Sequence, residues 1–292
     1  MLWRALQHIE NGFYIDIGAQ DPVVDSVSLA FYEHGWRGVH VEPTRQYSEK
    51  ISSARPDEVV EQVAIGSLEG SLVFYEFNDT GLSTADAETA ERHIASGFKA
   101  VKTEVPVVTL DHLLEKQKDE AIHWMKIDVE GMEKEVLQSW KSSEKRPWIL
   151  VIESTKPTTN EESHQAWEQI VLDKGYVYAY FDGLNRFYVH MSQSALLASF
   201  RIPPNIFDDF LLSGYASQPF YKGIKERARQ AEARQLQKVA QLEEEGWRLQ
   251  LEIRELQARF EAVITSSSWK LTAPFRKAAH ALKNCLTFKG HR

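Results

Sequence analysis

The stretch Gly12–Pro43, GFYIDIGAQDPVVDSVSLAFYEHGWRGVHVEP, limits what this chain can fold into more than any other. A short apolar run of Phe13, Tyr14, Ile15 and Ile17 is interrupted by Asp16 and closed by Gly18. A buried parallel strand ends this way, at a tight turn. Asp25, Ser26 and Ser28 then lead into an amphipathic segment with Val27, Phe31 and His34/Gly35 at helical spacing. A second strand, 38–41, stops at Glu42, and Pro43 follows. Strand, glycine turn, helix and strand ending in a carboxylate form the layout of a nucleotide-binding βαβ unit. In such a unit the backbone at Gly18 can approach a ligand and Glu42 can accept both ribose hydroxyl protons.

The glycine pattern selects among ligands. A dinucleotide site needs three glycines, because a pyrophosphate sits against bare backbone at a helix start. Here only Gly18 is present, and Gln20, Asp21 and Pro22 fill the rest of the loop. An Asp-rich turn repels a pyrophosphate but suits a ligand carrying an ammonium or sulfonium charge. S-adenosylmethionine (SAM) carries both.

A length of 292 residues accommodates one large α/β domain and a tail. The single cysteine, Cys285, excludes an internal disulfide and suits a reducing compartment. The N-terminal apolar run is too short for a signal peptide, and no stretch approaches a membrane-spanning length. The expected location is therefore cytoplasmic, with attachment to the inner face of the cell membrane as an extension. Charge is unevenly placed. No acidic residue follows Glu261, whereas six cations do, so a net charge of −8 divides into +6 for the tail and −14 for 1–261. An acidic body argues against nucleic acid as a partner.

Along the chain, 59–65 reads as a third strand ending at Gly66, and 72–77 as a β extension. A polar Ala/Glu-rich segment, helical or flexible, runs to about Gly97, and Pro106–Thr109 reads as a strand entering a helix. Ile122 to Glu135, IHWMKIDVEGMEKE, is an apolar core that ends in Asp128 and continues through Val129, Glu130 and Gly131 into a helix. WILVI, 148–152, is a buried strand ending in Glu153. Two neighbouring strands thus deliver carboxylates to the carboxyl edge, where open α/β sheets bind ligands. A helix is expected over 160–174, stopped by Gly175. Strands 176–181 and 187–190 flank the turn Asp182-Gly183-Leu184-Asn185, an antiparallel hairpin. RIPPNIF, 201–207, closes the domain near Gly214.

These pieces resemble the FkbM-type SAM-dependent methyltransferases, whose members mostly methylate hydroxyl groups, often on sugars. The matching residues are YIDIGA at 14–19, VEP at 41–43, KIDVEGME at 126–133 with Val136 and Leu137 following, and the apolar strand ending at Glu153. The resemblance covers roughly 10–200 and departs from many members at Gln20–Pro22, where Asn and a later Gly are common. It implies an α/β, Rossmann-like class I methyltransferase sheet with an antiparallel last hairpin, and methyl transfer to oxygen.

Methyl transfer is an in-line displacement at a sulfonium methyl, so the protein must align the acceptor oxygen and manage its proton. The expected cofactor contacts are Asp16 and Gly18 with Gln20 at the amino-acid end, Glu42 at the ribose, and Asp128 bridging cofactor and acceptor. Asp128, Glu130 and Glu153 are the catalytic candidates, with Glu153 or Glu130 as base. Bland readings compete. Glu130 suits a helix dipole, Asp128 an N-cap, and Glu153 a solvated strand end. Three carboxylates at one edge can also hold Mg²⁺, an alternative not favoured because no His or further Asp stands at diagnostic spacing. Asp182, Asn185 and Arg186 in the last hairpin are candidates for hydrogen-bonding the acceptor, although Asp-Gly and Asn are also ordinary turn residues. His123, His164 and His190 show no metal-ligand spacing.

The remaining sequence changes character. From 222 to 264 it is charged and free of proline, with Val239, Leu242, Leu249, Ile253, Leu256, Phe260 and Val263 in alternating three- and four-residue steps and Gly246 at the one weak position. This predicts a coiled coil and self-association, against a single helix folding back on the domain. After Ser266–Ser268, the tail 265–292 carries an apolar stripe of Phe275, Ala278/Ala279, Leu282 and Cys285/Leu286 beside Lys277 and Lys283. A basic amphipathic helix fits an anionic membrane surface; glycan-assembly enzymes are the alternative partner. The expected organisation is thus a methyltransferase domain over 1–214, then the coiled coil, then the tail. The expected activity is O-methylation of a sugar hydroxyl on a bacterial surface polysaccharide or its lipid-linked precursor, with a glycan or glycolipid as acceptor. Small-molecule O-methylation in secondary metabolism and a non-catalytic scaffold of a glycan-assembly complex are the alternatives.

Overall fold

The structure is a computed structural model that describes residues 1–77, 80–117, 121–208 and 219–287, the side chains of 219–222, 224 and 281–287 excepted. The chain divides into two units, Met1–Ser217 and Gln218–Arg292. The expected boundary at Gly214 lies outside the described residues.

Strand β1 (Phe13–Ile17) is central in the first unit because both of its faces are buried. It is followed by β2 (Arg37–Val41), β3 (Val59–Glu61), β4 (Ala64–Ile65), β5 (Gly70–Glu76), β6 (Val101–Val108), β7 (Trp124–Ile127), β8 (Ile149–Glu153), β9 (Tyr176–Phe181) and β10 (Asn185–His190). Seven of these form one sheet in the order β3-β2-β1-β7-β8-β10-β9, and β4-β6-β5 form a small second sheet. The run from β3 to β8 is parallel, whereas β10 is antiparallel to both β8 and β9. The expected Rossmann-like sheet with an antiparallel last hairpin is present.

Helices cover both faces, as a parallel sheet requires. They are α1 (Leu2–Leu6), α2 (Leu29–Glu33), α3 (Arg45–Ala54), α4 (Ala87–Ala95), α5 (Leu110–Lys116), α6 (Glu133–Gln138) and α7 (Glu168–Asp173). On one face Ile15, Val39, Met125 and Leu150 pack against Leu113, Val136, Trp140 and Val171. On the other Tyr14, Trp124, Val151 and Phe187 pack against Leu6, Phe31 and Phe200. Tyr14 and Trp124 stack there with ring centroids 4.6 Å apart. Two residues further along each strand, the same face turns polar, with Asp16 in register with His40 of β2 and Lys126 of β7.

Three expected elements differ. The single strand over 59–65 breaks into β3 and β4, which belong to different sheets. Strand β6 starts at Val101, well before Pro106, because it pairs with β5 from Gly70↔Val107 to Glu76↔Val101. The helix over 160–174 shrinks to a 3₁₀ turn, His164–Ala166, and α7. Its first residues use their backbone groups elsewhere: Ser163 N donates to Ser154 O, and Lys156 N donates to Glu161 O. Gly175 does stop α7, with φ +85°.

The second unit is α8 (Pro219–Thr265), α9 (Ser267–Leu271) and α10 (Ala273–Thr287). Ser266 separates the first two and caps α9, its Oγ accepting from Trp269 N at 3.2 Å. The side chains of Leu282, Lys283, Cys285 and Leu286, and all of Lys289 and Arg292, lie outside the described residues.

Candidate functional site

The chain leaves β1 toward β2 on one side of the sheet and later returns to β7 on the other, so the carboxyl ends of β1 and β7 form a topological switch point. Gly18 stands there with φ +77°. A Cβ on Gly18 would lie 1.7 Å from the carbonyl oxygen of Asp128, so the two turns touch backbone to backbone. Asp128 N donates to Ile17 O at 3.1 Å and Gly18 N to Val41 O at 2.9 Å, tying three strand ends together.

Glu42 is buried at the end of β2. Its Oε1 accepts from Thr44 N at 2.9 Å and Thr44 Oγ1 at 2.6 Å, and its Oε2 from Gln20 N at 2.9 Å. Burial raises its pKa, and these three donors work against that rise. A carboxylate has about four acceptor positions, and Thr44 and Gln20 use three of them, so one on Oε2 is left. That suffices for one ribose hydroxyl and not for the two expected from the strand end. Gln20 contributes its backbone N–H, in a left-handed conformation with φ +50°. Asp21 accepts from Val23 N and Val24 N and is ion-paired with Lys50, so its charge is already compensated.

Asp16 is 2% exposed; its Oδ2 accepts from Ser28 Oγ at 2.7 Å and its Oδ1 has no hydrogen-bond partner. It belongs to a buried polar network under the loop after β1. Arg55 donates to Ser28 Oγ, Ser26 Oγ and Pro22 O, while Glu58 accepts from Tyr14 OH and meets His40 Nε2 at 2.8 Å. The network pins residues 22–28 and hence the shape of the turn carrying Gly18.

The acidic cluster comes from β7, the turn after it, and β8. Glu130 and Gly131 are consecutive left-handed residues, φ +52° and +100°. A non-glycine residue held at positive φ is uncommon and stores strain, which the surroundings must hold. Here Thr84 Oγ1 donates to Glu130 O at 2.9 Å, and Glu133 Oε1 accepts from Val129 N and Gly131 N. The turn brings carboxylate oxygens of Asp128, Glu130 and Glu153 within 4.8 Å of one another. Lys126, half-buried, donates to Asp128 Oδ2 at 2.7 Å. Burial alone would lower the Lys126 pKa, but Asp128, Asp16 and Glu153 reverse that and hold it above its ordinary value. Glu153 is 6% exposed and its Oε2 has no hydrogen-bond partner. Burial, then the neighbouring Asp128, pushes the pKa of both Glu153 and Glu130 well up. The same three side chains could hold a divalent cation; Lys126 already supplies positive charge at that spot.

The hairpin residues have defined partners. Asp182 Oδ1 accepts from Leu184 N and Asn185 N, an Asx-type turn. Arg186 donates to Glu162 at 2.7 Å and Glu168 at 3.2 Å and lies over the Tyr178 ring. Asn185 sits opposite Glu153 in the β10–β8 register, and its Oδ1 is buried without a partner. Of the three, Asn185 is the one placed beside the cluster. Replacing Arg186 with Ala should cost about 1.5–3 kcal/mol, the range for hydrogen bonds to charged groups, in urea unfolding.

Lys126, Glu133, Thr44 and Arg55 were not singled out from the sequence. Lys126 had a signal, a lone cation at an inward position of the apolar run WMKI. Arg55 had none, because its partners Tyr14, Ser28 and His40 come from three distant segments.

Residues 16–178, more than half of the chain, match the family described as Methyltransferase FkbM domain. The chain belongs to the FkbM methyltransferase family. It is therefore a SAM-dependent methyltransferase, and the switch-point residues suit that cofactor. Gly18 keeps bare backbone at the turn, Glu42 retains an acceptor position, and Glu153 Oε2 is buried without a partner. Similar solved structures include the O-methyltransferase from Bacillus cereus in complex with SAH, 13% identical, covering 64% of this chain and 76% of that one, with a TM-score of 0.32. Fibrillarin from Aeropyrum pernix with natively bound S-adenosyl-L-methionine is 11% identical, covering 62% and 67%, with a TM-score of 0.29. No curated protein matches this FkbM methyltransferase.

The cluster makes its stability fall with alkalinity. Burial lifts Glu133 to about 7, above the ordinary value of 4.5. A raised folded pKa means the native state holds the proton longer than the unfolded chain. That contribution is complete below about 4.5 and is lost as pH rises through about 7, with a slope of up to about 1.4 kcal/mol per pH unit. Glu130 and Glu153 are shifted in the same direction and extend the decline into alkaline solution. Thermal melts without cofactor should show Tm falling from pH 5 to 9, and less steeply in Glu153→Gln.

Proposed function

We propose that this enzyme methylates a sugar hydroxyl of a bacterial surface polysaccharide or its lipid-linked precursor, with Glu153 taking the hydroxyl proton. The observation that carries this reading is the buried Glu153 carboxyl with its partnerless Oε2, on the sheet rim shared with Gly18 and Asp128. Bound SAM supplies a methyl group on a sulfonium sulfur, already electrophilic. Gly18 and the open position on Glu42 Oε2 hold the cofactor's polar ends, and Asp128 spans cofactor and acceptor. Asp128 is ion-paired with Lys126, whereas Glu153 Oε2 is not engaged, which makes Glu153 the better base. A sugar hydroxyl is a very weak acid, so Glu153 acts as base in its ionised form, whose share grows as pH rises toward its raised pKa. Asn185, opposite Glu153, is suited to orient the hydroxyl. Support for a glycan acceptor comes from the FkbM family resemblance and these hydrogen-bonding groups. Purified enzyme with labelled SAM and a panel of glycan acceptors, with and without chelator, tests the reading; label on no glycan overturns it.

The tail fits the same setting. Trp269, Leu271 and Phe275 are exposed beside Lys270, Arg276 and Lys277, and Arg276 lies 3.7 Å from the Trp269 ring centroid. No helix among the described residues is long and apolar enough to cross a membrane. Apolar insertion with about 1 kcal/mol per cation supports docking on an anionic leaflet. Co-sedimentation with phosphatidylglycerol vesicles, lost in high salt or on truncation after Thr265, is the expected result.

A further inference from the structure

We propose that α8 joins two copies of this chain as a parallel, in-register, two-stranded coiled coil. Along 239–263 the apolar residues recur in steps of three and four, which places Val239, Ile253 and Phe260 at a positions and Leu242, Leu249 and Leu256 at d. All six side chains are 46–64% exposed, so among the described residues the second unit itself leaves the seam uncovered. At 1.5 Å per residue it runs about 37 Å. A helix of this length with a polar remainder draws its stability from burying such a stripe.

The residue types specify the partner. β-branched side chains at a with leucine at d favour two parallel strands. Val239 and Ile253 above Leu242, Leu249 and Leu256 follow that rule. The flanking charges choose register. In a parallel, in-register pair, Lys238 at g faces Glu243 at e of the other copy, and Glu245 and Glu252 face Gln250 and Gln257. No like charges meet. A slip of one heptad sets Glu245 against Glu243, and an antiparallel arrangement with the seams overlapped sets Glu252 against Glu252 of the other copy, with Glu245 meeting Arg259. The parallel, in-register dimer sets no like charges together, and its β-branched a and leucine d residues favour the same arrangement. Gly246 falls at an a position and leaves open space where a side chain would fill the seam.

Sedimentation equilibrium of the full chain carrying Cys285→Ser tests the proposal. The expected result is a dimer at micromolar concentration. Leu249→Glu with Leu256→Glu should raise the dissociation constant at least about a hundredfold, which is 2.7 kcal/mol by the constant relating affinity to free energy. Gly246→Ile should lower it. Gly246→Cys should form an intermolecular disulfide under mild oxidation, because a positions of parallel strands meet within disulfide reach. A monomer, a trimer, a dimer untouched by the double Glu variant, weaker association in Gly246→Ile, or a dimer without the cross-link each overturns it.

Discussion

Replacing Glu153 with Gln should lower kcat for methyl transfer by about 10²–10⁴-fold, the range that a positioned general base contributes. Gln keeps the size and hydrogen-bonding capacity of the protonated carboxyl, so the buried site at the end of β8 should remain packed. Burial and the adjacent Asp128 and Glu130 already favour the neutral form of Glu153, and the amide imitates that form permanently. What disappears is the ionised carboxylate, which forms as pH rises and is the species that accepts a proton. SAM affinity, read by calorimetry, should therefore stay within a few-fold of the parent while single-turnover transfer falls. In the parent, the rate should rise with pH as the cluster loses protons, and in Glu153→Gln that rise should diminish. Undiminished turnover in the variant would assign the proton to Glu130 or to solvent.

Both this expectation and the fold follow from features of unequal visibility in the sequence. Strands β1, β2, β7 and β8 were legible because they are buried on both faces, so their apolar runs are nearly unbroken and their carboxylate ends conspicuous. The last hairpin was legible through Asp182-Gly183. Of the small β4-β6-β5 sheet, β5 and the end of β6 were legible as β runs at 72–77 and 106–109. The start of β6 and the separation of β4 from β3 were not, since β5 and β6 are partly exposed and alternate weakly with polar residues. Residues 160–163 looked helical by composition, yet their backbone groups pair with Ser154 and Lys156, a tertiary choice invisible in local pattern. At the site, the carboxylates could be named from motif and strand ends. Their convergence depends on Glu130 adopting a left-handed conformation and on Lys126 pairing with Asp128. Nothing in a linear pattern ties Arg55 to Ser26, Ser28 and Pro22. Hydrophobic periodicity reports burial; it does not report which buried polar groups satisfy one another.

Gly18→Ala should cost both stability and cofactor affinity, and a second glycine separates the two. At Gly18 the substitution places a methyl 1.7 Å from Asp128 O while forcing an L-residue to φ +77°. The conformational term alone is about 1–2 kcal/mol. The clash is with backbone that is itself bonded to Ile17 O, so relief requires prising the turns after β1 and β7 apart, adding about 1–3 kcal/mol as overpacking does. The same movement displaces Asp128 from Gly18 and Gln20 N from Glu42 Oε2, the groups proposed above to hold the cofactor. SAM binding should weaken by at least about tenfold, equivalent to 1.4 kcal/mol. Gly183→Ala supplies the contrast: φ is +103°, but nothing lies within 4 Å of the added Cβ. That variant should lose only the conformational term in thermal unfolding and bind SAM as the parent does. Equal effects on SAM affinity at the two positions would mean that the switch point at β1 and β7 is not where the cofactor binds.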